Sequence, residues 1–117
     1  MKNQFRKKNR VGISVGDLNG IGMEVIIKTF LDKRMMEICT PIVFGNPKTS
    51  AFHRKICDIK NFSFNHINTF QDINNKQVNL MNCWEEDVEI SLGQASKKSG
   101  KYALISLKKS VDALQKN

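Results

Sequence analysis

Apolar residues along this chain fall in short blocks whose spacing switches between that of strands and that of helices. Residues 11–15 (Val-Gly-Ile-Ser-Val) are rich in β-branched side chains and predict a short strand. Gly16 to Gly22 forms a glycine-rich turn. From Gly20 to Leu31 the positions Ile21, Val25, Ile26 and Phe30, joined by Ile27 and Leu31, recur at helical spacing. Glu24 falls in the first turn of that helix, where the dipole favours an acid, and stands four residues before Lys28. The unbroken run Pro41 to Gly45 predicts a buried strand. Asn46-Pro47 then opens a helix through Ile56, with Ala51, Phe52 and Ile56 as its apolar positions. Phe62, Phe64 and Ile67 alternate loosely and predict a third strand over 62–67. Residues 72–76 are turn-like, and 78–84 predict a fourth strand. Glu85, Glu86, Asp87 and Glu89 read as an acidic surface loop. A last helix is expected from Gln94 to Gln115, with Ala95, Tyr102, Ala103, Leu107, Val111 and Leu114 as its apolar stripe. Lys97, Lys98, Lys101, Lys108 and Lys109 take its other face. Gly100 inside it costs up to ~1 kcal/mol relative to Ala and calls for a packing reason.

Strands alternating with helices predict an α/β fold, layered αβα, with a mainly parallel central sheet. A parallel sheet of so few strands leaves an edge open and a face poorly covered, so the fold is expected to be incomplete in this chain. There is no internal repeat and no low-complexity linker. Residues 1–10 are expected to be a basic flexible tail and 11–117 a single α/β unit.

Composition narrows the chemistry. The 117 residues are 40% hydrophobic, which suits a packed domain rather than a disordered tail. No run approaches the ~18 apolar residues of a transmembrane helix, and no apolar signal core follows the basic start, so a cytoplasmic protein is expected. The formal charge of +8 invites a nucleic-acid reading. The lysines are spread out, however, and the one dense run, Lys2, Arg6, Lys7, Lys8 and Arg10, lies on the expected tail. A solvated surface explains them, and no nucleic-acid or membrane partner is expected. Cys39, Cys57 and Cys83 are odd in number and widely spaced, which supports neither a disulfide framework nor a zinc knuckle.

The segment with chemical character is Gly16-Asp17-Leu18-Asn19-Gly20-Ile21-Gly22. It joins a strand to a helix, where α/β proteins place their ligands. Backbone N–H groups at a helix start attract anions, and glycines let a phosphate come close. The established phosphate motifs are not matched: Val25 stands where a dinucleotide fingerprint needs its third glycine, and no Gly-Lys-Ser/Thr follows. A purely structural tight turn is the competing account. Asp17 would repel an anion; it can instead bond a hydroxyl or amine, or cap the helix. His53 and His66 sit thirteen positions apart on different elements, with no carboxylate at ligand spacing, so surface or packing roles are expected for both. There is no Gly-x-Ser-x-Gly elbow, and no catalytic set is expected in this chain.

Val11 to Glu24 resembles the opening motif of the 4-hydroxythreonine-4-phosphate dehydrogenase family, roughly Thr-x-Gly-Asp/Glu-Pro-Ala-Gly-Ile-Gly-Pro-Glu. Gly16, Asp17, Gly20, Ile21, Gly22 and Glu24 fall on matching positions. Leu18, Asn19 and Met23 depart from it, where the family has Pro, Ala and Pro. Pro41–Gly45, the helix 46–56 and the pair Leu92-Gly93-Gln94 with Ser99-Gly100-Lys101-Tyr102 follow the family's order more loosely. The resemblance implies a fold like that of isocitrate and isopropylmalate dehydrogenases. It implies oxidation of 4-hydroxythreonine phosphate by NAD, with later loss of carbon dioxide, in pyridoxal phosphate synthesis. It further implies a homodimer that holds a divalent metal through three histidines from two subunits. Those histidines belong to segments beyond this chain, and neither His53 nor His66 lies in a matching motif. What carries over is the turn, with Gly16, Asp17, Asn19, Gly20 and Gly22 as cofactor-binding residues. On this resemblance the chain is expected to be the first third of a longer enzyme and inactive alone. A small stand-alone phosphate- or nucleotide-binding module is the alternative.

Overall fold

A computed structural model describes residues 8–94 and 96–116. Most of the expected basic tail, with Lys2, Arg6 and Lys7, and also Ala95, lie outside the described residues. The first strand, β1 (Asn9–Ser14), begins two residues before the expected Val11 and takes in Arg10. Chain order continues with α1 (Gly22–Phe30), α2 (Met35–Ile38), β2 (Cys39–Gly45), α3 (Pro47–Ile56), β3 (Asn65–Ile67), a 3-10 turn (Phe70–Asp72), β4 (Asn79–Asn82) and α4 (Lys97–Lys116). The short α2 had no signal in the sequence. Two strands are shorter than expected: 62–67 contracts to 65–67, and 78–84 to 79–82.

The strands form one four-stranded sheet in the order β1-β2-β4-β3. All three pairings are parallel. This is the α/β fold with a parallel centre that the alternation predicted. β2 lies inside it with all seven residues buried, as its continuous apolar run requires. Right-handed crossovers place the helices. The steps β1 to β2 and β2 to β3 run the same way across the sheet, so α1 and α3 share a face. The return step to β4 sends the 3-10 turn to the opposite face, where α4 also lies.

Each face has its own core. On the first, Met23, Ile26, Ile27 and Phe30 of α1 pack with Val43 and Leu80 from the sheet. On the second, Ile42, Phe44, Ile67 and Met81 meet Phe70, Ile73 and Ala113. The second face is only partly covered: a depression of about 460 Å³ runs between α4 and the 3-10 turn, over Ile42 and Phe44. Asn79, fully buried, closes the β3–β4 crossover. Its amide donates to the carbonyls of Pro41, Asn74 and Gln77, and its oxygen accepts from Asn65 Nδ2 and Asn74 N.

The expected apolar stripes hold in part on α1, where Ile26, Ile27 and Phe30 are buried, hold only at Tyr102 on α4, and fail on α3. In α1 the inner positions are Met23, Ile26, Ile27 and Phe30, while Ile21 and Val25 stay exposed. In α3 the buried residues are Thr49, Ser50 and His53, and Phe52 and Ile56 face outward. In α4 they are Ser99, Tyr102 and Ser106; of the expected stripe, Leu107, Val111 and Leu114 are exposed. One residue of each of α3 and α4 shows a reason: His53 bonds the Leu18 carbonyl of the turn, and Ser106 bonds backbone groups at the strand ends, which need partners where water is excluded. Ser106 is the clearest case: its hydroxyl accepts from Val15 N at 3.0 Å and donates to the Phe44 carbonyl.

Replacing Ser106 by Ala leaves the buried Val15 N–H without an acceptor and should cost about 1–3 kcal/mol in chemical denaturation. Gly100 has no packing reason, contrary to expectation: a Cβ there meets nothing within 4 Å. Gly100→Ala should therefore raise stability by up to about 1 kcal/mol in the same assay. A loss of stability would show that the backbone needs glycine there.

Candidate functional site

Because the sheet is parallel, the segments leaving β1, β2 and β4 emerge at one edge, the carboxyl end where ligands of open α/β sheets bind. The glycine turn leaves β1, Asn46 and α3 leave β2, and the acidic loop leaves β4. The glycines of the turn have identifiable local causes. Gly16 has φ +70°, the left-handed region that penalises a Cβ. At Gly22 a Cβ would lie 2.5 Å from the Val15 carbonyl oxygen, so only glycine lets the start of α1 close onto the end of β1.

Asp17 and Asn19 are held from within. One Asp17 carboxylate oxygen accepts from Asn19 N at 2.8 Å, and the other accepts from the Ser99 hydroxyl at 3.1 Å. Gly20 N closes the turn on the Asp17 carbonyl at 3.0 Å. Asn19 is buried and binds the loop 91–94 with both ends of its side-chain amide and with its carbonyl. Its side-chain amide donates to the Gln94 carbonyl at 2.7 Å, and its side-chain oxygen accepts from Ser91 N at 2.9 Å. Its carbonyl accepts from Gly93 N at 2.7 Å. The chemistry expected of these two side chains is therefore turned inward, on the loop and on the first turn of α4. Asp17 also places a carboxylate beside that helix start, where the dipole favours it.

The five candidate residues are thus close together. Asp17, Asn19 and Gly20 line an open depression of about 270 Å³ with Gly93 and Gln94. Gly16 and Gly22 shape the turn from outside that lining. Backbone amides remain for a ligand: the residue before α1, Ile21, places no side-chain cap over the first N–H groups of the helix. Leu18, one of the departures from the family motif, is buried in the first core.

Three acidic side chains of the loop after β4 have partners. Glu85 accepts from Asn82 Nδ2, Glu86 from the Tyr102 hydroxyl, and Asp87 pairs with Lys48. Among the described residues no three His, Cys, Asp or Glu side chains converge as a metal group. His66 lies exposed on β3, far in role from His53, which is buried on α3 with Nε2 2.8 Å from the Leu18 carbonyl. A packing role was expected for His53; the bond into the glycine turn was not. Ser99 and the loop 91–94 follow the family's order in the sequence, but their bonds to Asp17 and Asn19 have no signal there. The spacing Ser99, Tyr102, Ser106, Ser110 is the signal that could have located the inner face of α4.

With this geometry in hand, comparison with known proteins gives one consistent answer. No protein-family model matches the chain. It is 41% identical over 106 residues to a 4-hydroxythreonine-4-phosphate dehydrogenase of Bacteroides thetaiotaomicron, covering 90% of this chain and 29% of that protein. It is 28% identical over 109 residues to an Oceanobacillus iheyensis protein provisionally described as a D-threonate 4-phosphate dehydrogenase, covering 91% of this chain and 32% of that one. The crystal structure of a 4-hydroxythreonine-4-phosphate dehydrogenase from Burkholderia phymatum superposes with a TM-score of 0.82 at 23% identity, over 95% of this chain and 34% of its own. The chain spans about a third of the length of these relatives, and the resemblance read from the glycine turn holds for an N-terminal portion of them.

The thiols offer no nucleophile. Burial pushes Cys39 and Cys57 above the ordinary range and Cys83 up to about 11. A raised pKa keeps the thiol protonated at neutral pH, so iodoacetamide should react slowly at pH 8. The Cys83 rate should climb only as the pH nears 11. Peptide mapping that found Cys83 modified at pH 8 as fast as free cysteine would contradict this.

Proposed function

We propose that this chain carries the glycine-turn portion of an NAD-dependent, divalent-metal-dependent dehydrogenase that oxidises 4-hydroxythreonine phosphate, the product then losing carbon dioxide, in pyridoxal phosphate synthesis. The observation that carries the reading is the close match to the Bacteroides enzyme along nine-tenths of this chain. Both named relatives have a 4-phosphate in the name of their substrate, which supports a small phosphorylated hydroxy acid as the substrate class. On the same reading the working enzyme is a cytoplasmic homodimer.

The residues present fit one part of that chemistry. The turn can receive a cofactor phosphate through backbone: Gly16 and Gly20 carry no side chain, and the first N–H groups of α1 are uncapped. Asp17 and Asn19 shape the turn rather than reach a ligand, since their polar atoms are already bonded. NAD, when bound, supplies the hydride acceptor. The metal does not fit the described residues, which gather no ligand group. No step of the reaction is assigned to it through this chain, and the chain alone is expected to be inactive.

One observation favours a second reading, a stand-alone phosphate- or nucleotide-binding module. The turn, the loop 91–94, the start of α4 and His53 of α3 complete one another's bonds within this chain. A chimera separates the two. This chain should replace the matching segment of the Bacteroides relative and leave NADH formation from 4-hydroxythreonine phosphate measurable at 340 nm, while the 117-residue chain alone forms none. A chimera that folds but does not turn over, beside a chain that binds NAD unaided, would reject the dehydrogenase reading in favour of the module.

A further inference from the structure

We propose that His53 is a positioning residue for the glycine turn: it fixes the orientation of the Leu18–Asn19 peptide plane, and through it the start of α1. The plane is held at both ends. Its carbonyl faces His53 Nε2 at 2.8 Å, and its N–H donates to Asp17 Oδ1 at 2.8 Å. A carbonyl can only accept, so Nε2 carries the proton and donates. The imidazole is 4% exposed and Leu18 is 3% exposed, so no solvent stands in for the bond if it is lost.

His53 can act this way because α3 is itself anchored. Asn46 caps α3 by accepting from Lys48 N and Thr49 N, and its side-chain amide donates to the Trp84 carbonyl at 2.7 Å. Thr49 and Ser50 hydroxyls donate to the Asn46 carbonyl and stiffen the first turn. The helix therefore holds His53 in a fixed place at the carboxyl edge of the sheet. From the other side Asn19 is bound to the loop 91–94. Between these two supports the peptide has one orientation. A flip would aim the Leu18 carbonyl toward Asp17 Oδ1 and leave both oxygens without donors. The role in catalysis rests on the dehydrogenase reading; the role in the turn does not.

The test uses the full chain, labelled with ¹⁵N, as wild type, His53→Gln and His53→Leu. Glutamine keeps a donor at the Nε2 position; leucine keeps the bulk without a donor. In the wild type the imidazole should appear in ¹H–¹⁵N spectra with Nε2 protonated. His53→Leu should speed amide exchange at Asn19 and Gly20 about tenfold, the worth of one buried hydrogen bond, with β2 amides unchanged. His53→Gln should restore most of that protection. Unchanged exchange in a folded His53→Leu, no rescue by glutamine, or an unprotonated Nε2 would overturn the proposal. If His53→Leu does not fold, the tautomer and the glutamine variant still decide it. In an active chimera, His53→Leu should raise the KM for NAD and leave kcat nearly unchanged. An inactive parent chimera would reject the dehydrogenase reading and leave the exchange result standing.

Discussion

One hydroxyl group connects most of this structure. β1 and β2 pair in parallel as far as Ser14 and Phe44. One residue further, where the strands must separate to release the glycine turn, the Ser106 hydroxyl stands between Val15 N and the Phe44 carbonyl. It satisfies both groups in a place that water does not reach, since Ser106 is fully buried. The same contact docks α4 on the sheet. With α4 in place, Ser99 meets Asp17, and the loop before α4 meets Asn19. The geometry of the candidate site thus depends on a helix that starts eighty residues away in sequence from the turn it supports.

The pattern extends to α3, and it changes what a buried helix face means here. Thr49, Ser50 and His53 face inward with their polar atoms bonded: the two hydroxyls donate to the Asn46 carbonyl at the start of their own helix, and His53 reaches the Leu18 carbonyl in the turn. An apolar side chain at position 53 would exclude water there and leave the Leu18 carbonyl unsatisfied, at a cost of about 1–3 kcal/mol. Only α1, which packs on the flat of the sheet, presents an inner face of Met, Ile and Phe.

The candidate site was legible as a location and not as a set of roles. Glycines between a strand and a helix mark a turn at the carboxyl edge, and Gly16 and Gly22 are glycines for local reasons that the motif encodes. Asp17 and Asn19, in the same motif, looked like groups available to a ligand. Their partners are Ser99 and residues 91–94, and nothing in the spacing of the turn points to them. For His53, a lone histidine without neighbouring ligands points to a surface or packing role. Its partner is a backbone carbonyl, and backbone carbonyls leave no mark in a sequence.

The sequence by itself determined the alternation of strands and helices, the buried character of β2, the position of the glycine turn and the family it resembles. These follow from local properties: β-branched runs, continuous apolar blocks, residues that tolerate positive φ, and a helix cap such as Asn46. Only the tertiary structure decided which faces of α3 and α4 turn inward, that Asp17 and Asn19 serve the fold, and that His53 reaches the turn. Those outcomes depend on which backbone groups remain unpaired once the strands have come together. That inventory exists only in three dimensions, because the donor and the acceptor of each such bond are brought close by the fold and not by the chain.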